Sequence, residues 1–404
     1  MRELARRLSV LACILSALPA YSQVAVRGET VYTMAGPALK DGVVLVRDGK
    51  IEKVGAGLAV PAGYRELRAR VVTPGLIDAH SVVGLAGYLN QTQDQDQLEP
   101  SAPIQPELRA IDAYNPEERL VGWLRGFGVT TIHTGHGPGA LVSGQTMIAK
   151  TRGKDVDAAV VVPVAMVAAT LGPGARTREE GKSPGTRAKA IALLRAELIK
   201  AQEYATKKET AEKGKEPERS LHLEALGSVL RGEVPLLVTV NRANDIVTAL
   251  RVAREFKLRL VLDGAAEAYL VKDQIKQAGV PVIVHPTMAR DSDETENMSK
   301  ETAAILHRAG IRIALQSGFE SYVPKTRVVL FEAAEAAAYG LSFEEALAAI
   351  TIDAARILGI EKRVGSLEPG KDGDLALYDG DPFSWTTHCV GTIIQGEVVS
   401  EAAN

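Results

Sequence analysis

The stretch Val72-Thr73-Pro74-Gly75-Leu76-Ile77-Asp78-Ala79-His80-Ser81-Val82 decides how this chain is read. It looks like a short strand that delivers His80 to its end. Side chains on a strand alternate faces with a period of two, so positions 80 and 82 point the same way. Histidines at both places would chelate one metal ion from a single strand end. Valine at 82 offers no donor.

Around this stretch lies ordinary globular material: 404 residues, 46% hydrophobic, 24% charged, with a net charge of -3. That supports one large domain plus an elaboration. The near-neutral balance gives no field that would track phosphates, and 4% aromatic content leaves little for stacking bases, so no nucleic-acid partner is expected. Residues 1–22 read as a signal peptide: basic Arg2, Arg6 and Arg7, apolar Leu8 to Leu18, then Ala20-Tyr21-Ser22 as a small-residue cleavage site before Gln23. The apolar run is too short to span a bilayer. A periplasmic or secreted protein is expected, with no transmembrane segment after cleavage. Cleavage would leave Cys389 as its one cysteine, so no intrachain disulfide is expected.

Residues 23–70 alternate β-rich runs with turn signals, among them Gly42-Val43-Val44-Leu45-Val46, Asp48-Gly49 and Lys50-Ile51-Glu52-Lys53-Val54. Asp-Gly between apolar runs is a hairpin signal because both positions tolerate positive φ. Residues 365–404 carry matching runs, Leu375-Ala376-Leu377-Tyr378 and Gly391-Thr392-Ile393-Ile394. The two ends are expected to build one small sheet. Between them strand and helix alternate. Leu236 to Val240 precedes a helix opening near Asn244, Leu258 to Leu262, Val280 to Val284 and Ile311 to Leu315 are further strands, and an alanine-rich helix runs from about Lys325 to Ala338. Such repeated units imply a parallel sheet. Thr186 to Ser220 reads as a solvated helix with the apolar stripe Ile191, Leu194, Leu198 and Ala201, passing into a charged linker.

The stretch around His80 closely resembles the first-strand signature of the amidohydrolase superfamily, Pro-Gly-Leu-Ile-Asp-x-His-x-His, with Val82 in place of the last histidine. Leu262-Asp263-Gly264-Ala265-Ala266-Glu267-Ala268-Tyr269 looks like the His-Gly-Thr-Glu-Ala-Tyr of its imidazolonepropionase-like and prolidase-like branch. The likeness runs on to Gly365-Ser366-Leu367-Glu368-Pro369-Gly370-Lys371 and so covers nearly the whole chain after the signal. It implies an α/β fold: a (β/α)8 TIM-like barrel over residues 71–364, beside a composite β-domain from residues 23–70 and 365–404. Reacting groups in such a barrel project from the C-terminal strand ends. The resemblance also implies metal-dependent hydrolysis of C–N bonds in cyclic amides or dipeptides, with ligands at two places on strand one and one each on strands five, six and eight. His80 keeps one of these places, while Val82, Thr239, Asp263 and Gly318 stand at the others. A glycine at 318 cannot take a proton from metal-bound water, the role the resemblance gives to an aspartate there. The usual binuclear centre is expected to be largely lost.

His80, His133, His136 and His285 all fall at expected strand ends, with Asp263 among them. Either these residues hold one zinc or manganese ion at a relocated site, with Asp263 a candidate catalytic group, or the histidines line a polar pocket without a metal. The amide- and acid-rich loop from Tyr88 to Glu99 is expected to overhang the mouth, as a ligand contact or as a solvated loop. Two functions stay open. One is an exported C–N hydrolase with a rearranged or single-metal site. The other is a catalytically inactive relative that binds a small molecule or a partner protein through the barrel mouth. The sequence leaves the oligomeric state open.

Overall fold

A computed structural model describes residues 23–89, 91–175, 184–285, 287, 293–318 and 328–401. The expected signal peptide and the helix start at Lys325 lie outside them. The leading strands are β1 (Val24–Val31), β2 (Leu39–Arg47), β3 (Lys50–Ala56) and β4 (Arg65–Pro74). Asp48 and Gly49 take positive φ, 51° and 77°, and turn β2 into β3 as the Asp-Gly pair predicts. The central strands are β5 (Leu76–Ser81), β6 (Val129–Thr134), β7 (Val142–Gln145), β8 (Met147–Lys150), β9 (Val160–Val162), β10 (Val167–Thr170), β11 (Leu236–Val240), β12 (Leu260–Gly264), β13 (Val282–Val284) and β14 (Ile313–Leu315). The last are β15 (Leu375–Tyr378), β16 (Cys389–Ile394) and β17 (Glu397–Glu401).

One seven-stranded sheet runs β17-β16-β15-β4-β1-β2-β3, so strands from both ends of the chain share it. β4 joins the halves: Val72 faces Val31 of the parallel β1 and Leu377 of the antiparallel β15. Val44, Val46, Val72, Leu375, Leu377 and Ile393 bury against one another on this sheet. Although β4 and β1 lie between β15 and β2, the Gly373 N–H donates to the Gly49 carbonyl at 2.8 Å, tying the chain just before β15 to the β2–β3 hairpin.

The other strands form a six-stranded sheet, β14-β13-β12-β11-β10-β7, and a four-stranded sheet, β5-β6-β8-β9. β10 to β14 are parallel, whereas β7 runs antiparallel to β10, and β8 antiparallel to both β6 and β9. This corrects the expectation of eight parallel strands in a closed ring. Among the described residues the fold is mixed α/β and TIM-barrel-like, with an additional β-domain. The physical reason is that the chain from Val142 to Lys150 runs back antiparallel to β10 and β6, passing from one sheet to the other at Thr146, where a crossover helix and a parallel strand are expected. The two sheets nonetheless share an interior. Ile77, Ile148, Leu237, Val261, Ile283 and Ala314, from six different strands, pack together. Ser81 bridges Gly318 in parallel, which sets the end of β5 beside the chain leaving β14.

Helices cover the outside of the strands. Helix Ala243–Phe256 buries Ile246, Ala249, Val252 and Ala253 at helical spacing. Helix Arg187–Thr210 starts at Thr186, whose side chain accepts from the Lys189 N–H, and its buried face holds the stripe Ile191, Leu194, Leu198 and Ala201.

Candidate functional site

The shared interior dictates where polar groups go. Two residues beyond each apolar position a strand presents the same face again. Thus Leu237 is followed by Thr239, Val261 by Asp263, Ile283 by His285 and Ala314 by Gln316. A polar layer results at the C-terminal strand ends, above an apolar floor. His80 joins it from β5, with its Nδ1 3.0 Å from Asp263 Oδ1. Gln316 Nε2 donates to the same oxygen at 2.6 Å, and the Thr239 hydroxyl donates to Asp263 Oδ2 at 2.6 Å.

His80 is 4% exposed and Asp263 2%. A buried carboxylate is costly unless paired and hydrogen-bonded, and this one has three donors. Burial alone would lower the His80 ring and raise the Asp263 carboxyl. Their mutual charge and hydrogen bond outweigh it, so His80 is raised above its ordinary value and Asp263 held below. With Nδ1 used, the site offers His80 Nε2, which is buried and has no partner.

The other histidines differ from one another. His133 lies inside β6, which runs on to Thr134, rather than beyond the strand. The Ala79 carbonyl can only accept, so Nδ1–H of His133 donates to it at 2.6 Å, and Nε2 accepts from the Thr146 hydroxyl at 2.6 Å. Burial, then the neighbouring His80 charge, pushes this ring down to about 3. His136 packs against Gly144 of β7, where an added Cβ would stand 2.5 Å from Nε2, and its ring faces the Leu108 carbonyl. Burial pushes it down to about 4, and neither ring nitrogen makes a well-directed hydrogen bond. His285 donates its backbone N–H to the Gly264 carbonyl at 3.0 Å. Gly318 has a left-handed φ of 75°, and a Cβ there would stand 2.5 Å from His285 Nε2. The His285 ring therefore fills the space that a side chain at 318 would enter. In sum the structure joins His80 to Asp263, sets the His133 ring tilted beside that of His80 with centroids 5.5 Å apart, places His285 against Gly318, and seats His136 on β7.

Gln316, Thr146 and Asp78 escape a sequence reading. A carboxamide two residues before Gly318, on a strand expected to supply an acid, is the signal that could have found Gln316. Asp78 accepts from the Ser317 N–H at 3.0 Å and from the Ser317 hydroxyl, and burial pushes it up to about 6.

Zinc takes about three protein ligands. Among the described residues no group of three or more His, Cys, Asp or Glu side chains is arranged to hold an ion. Both Asp263 oxygens already accept hydrogen bonds.

His133 and His136 give the fold an acid limit. Their folded values, about 3 and about 4, lie below the ordinary 6.5, so the unfolded chain takes up protons first as pH falls. This stability is full above about pH 6.5 and is lost towards the folded values. Asp78, raised to about 6, works in the opposite direction over part of that range. Melts between about pH 7.5 and about pH 4.5 are expected to show a falling Tm, with a shallower slope in His136→Phe. An identical slope in that variant would mean that His136 titrates freely in the folded protein.

Solved structures share this plan. An amidohydrolase from Thermotoga maritima MSB8 superposes with a TM-score of 0.89 at 31% identity, over 94% of this chain and 100% of that one. The chain belongs to the amidohydrolase family. A model of the amidohydrolase family matches residues 336–400. The imidazolonepropionase of Rhizorhabdus wittichii is 26% identical over 87% of this chain and 92% of that protein, in keeping with the imidazolonepropionase-like branch of the amidohydrolases. Amidohydrolase tasK of Hapsidospora irregularis is 26% identical over 85% of this chain, which spans only 38% of that longer protein. A prolidase structure with a TM-score of 0.60 at 15% identity shares the amidohydrolase fold.

Proposed function

We propose that this amidohydrolase-family chain is an exported protein that binds a small amide-bearing compound at its strand ends and does not run two-ion hydrolysis. The observation that carries this reading is the closed set His80, Asp263, Thr239 and Gln316: side chains from four strand ends satisfy one another instead of converging on an ion. In this reading residues 71–364 are a variant (β/α)8 barrel whose bent Val142–Lys150 run replaces regular βα structure, and the mouth is the ligand site. Asp263 accepts from Nδ1–H and favours the protonated His80 ring, which then presents Nε2–H to a carbonyl or carboxylate oxygen. No carboxylate stands at 318 to take a proton from water, because glycine is there and the His285 ring fills the adjoining space.

A second reading has its own support. The partnerless, buried His80 Nε2 leaves one ligand position open to a single zinc or manganese ion, and with it hydrolysis of a C–N bond in a cyclic amide or dipeptide. One preparation separates the readings: protein exported with its leader from cells supplied with zinc and manganese, analysed by N-terminal sequencing and elemental analysis. Expected is a chain beginning near Gln23 with well under one ion bound. A start at Met1 would remove the export claim. One ion that disappears in His80→Ala together with hydrolysis would favour the second reading, and two ions per chain would overturn both.

A further inference from the structure

We propose that the cleft between helices Arg187–Thr210 and Ala243–Phe256 is a binding site for a phosphate group, free or carried by a small ester. It lies among the helices, apart from the set around His80 and Asp263, and does not depend on how that set is read. The cleft has a volume of about 330 Å³. Three arginines line it, Arg187 and Arg195 from the first helix and Arg251 from the second, and Asp245 is the one carboxylate among its lining residues.

On the second helix Asn244, Thr248, Arg251 and Glu255 recur at helical spacing and share one face. Two ion pairs cross from that helix to the other. Arg187 Nε donates to both Asp245 oxygens, at 2.8 and 3.0 Å, and Arg195 holds Glu255 Oε2 through Nε at 2.9 Å and Nη2 at 2.8 Å. At a rise of about 1.5 Å per residue, Arg251 stands between these pairs, about 9 Å along the axis from Asp245 and about 6 Å from Glu255. Glu294 is at the Asp245 end too, since a Cβ on Gly172 would lie 2.8 Å from Asp245 Oδ2 and 3.6 Å from Glu294 Oε2. The carboxylates thus sit at the ends and the middle is cationic. Among the described residues the Arg251 guanidinium makes one long hydrogen bond, 3.4 Å to Thr248 Oγ1, and no ion pair.

Arginine cannot shed its charge, so gathering three on one cleft is unfavourable unless anions answer them. Asp245 answers Arg187 and Glu255 answers Arg195, and an anion is missing opposite Arg251. Of the five N–H groups on each guanidinium, the ion pairs use one on Arg187 and two on Arg195, and the others remain to give. Asn244 and Thr248 add a carboxamide and a hydroxyl. These donors outnumber the two oxygens of a carboxylate. A phosphate group brings three terminal oxygens and up to two charges, and arginine forks bind such oxygens in pairs. Leu171 and Ile191 also line the cleft and leave an apolar wall for the carbon body of an ester.

The test is equilibrium dialysis of the mature protein against radiolabelled inorganic phosphate, in chloride buffer at constant ionic strength. One saturable site per chain is expected. Affinity should fall about tenfold or more in Arg251→Gln, which leaves both ion pairs in place, and stay unchanged in Arg254→Gln, which removes one charge from the same helix outside the cleft. Phosphate should raise the Tm of the parent and of Arg254→Gln but not that of Arg251→Gln, whose own melt in chloride should match the parent. Phenyl phosphate names the source: tighter displacement of the label than by phosphate marks a small ester, equal or weaker displacement marks the free ion, and both uphold the site. No saturable binding below about 10 mM would overturn the proposal. So would equal losses in the two variants, or displacement by acetate as effective as by phosphate.

Discussion

A chain ended after Glu361 is expected to lose its cooperative melt and to aggregate. The cut removes β15, β16 and β17, and with them Leu375, Leu377 and Ile393 from the core that also holds Val44, Val46 and Val72. Exposing that face leaves a large apolar patch. It also strips the partners from Lys150, which is 2% exposed and pairs with Asp374 and, at 3.2 Å, with Asp372. Asp372 in turn holds Lys50 at 2.6 Å and Arg363 at 3.0 Å. The point variant Asp372→Ala tests part of this: Lys150 keeps Asp374, so a loss of about 1–3 kcal/mol is expected for removing a buried acceptor of charged donors. Burial would raise the Asp372 carboxyl, but Lys150, Lys50 and Arg363 outweigh it and hold it below its ordinary value. The contribution is therefore present above the ordinary carboxylate range and is lost as pH falls through the depressed value. A truncated chain whose circular-dichroism melt matched the parent would show that the two ends do not share a core.

Asp263→Ala should cost about 3–5 kcal/mol, because it leaves the buried His80 ring without its counter-charge, takes the shorter of two acceptors from Gln316 and strips the half-buried Thr239 hydroxyl of its partner. Asp263→Asn keeps the shape and one acceptor oxygen and should cost less. If the loss comes from the stranded imidazole, adding His80→Ala to Asp263→Ala should restore part of it, giving a non-additive double-mutant cycle in urea unfolding. Additive losses would mean that water reaches the pair and screens it.

The strand ending at His80, the βα rhythm from Leu236 to Leu315 and the shared terminal sheet are legible in the sequence because burial and turn chemistry leave local periodic marks. The run from Val142 to Lys150 leaves no such mark. It is short, carries Gly144 and two polar residues at its bend, and nothing in its composition distinguishes an antiparallel path from a parallel one. The site is less legible still. Lys150 and Asp374 are 224 positions apart, and Gln316 and Asp263 are 53 apart. A search for ion ligands passes over Gln316, since a carboxamide matters here only through the carboxylate opposite it. His133 and His136 lie three positions apart and look alike in sequence. Ala79 and Thr146 engage both nitrogens of the first, and neither reaches the second.

Arg65 meets both ends of the described chain. Its N–H donates to the Gln23 carbonyl at 2.8 Å, and its guanidinium reaches Glu401 at 2.6 Å. The described chain thus closes on itself at β4, which can acquire β15 only after some three hundred intervening residues have been made. Closing so long a loop is slow relative to local helix and hairpin formation. During synthesis the first four strands must wait as an open sheet edge, exposed to mispairing. A circular permutant with Gln23 and Glu401 joined by a short linker would make that pairing local, and the waiting time would disappear.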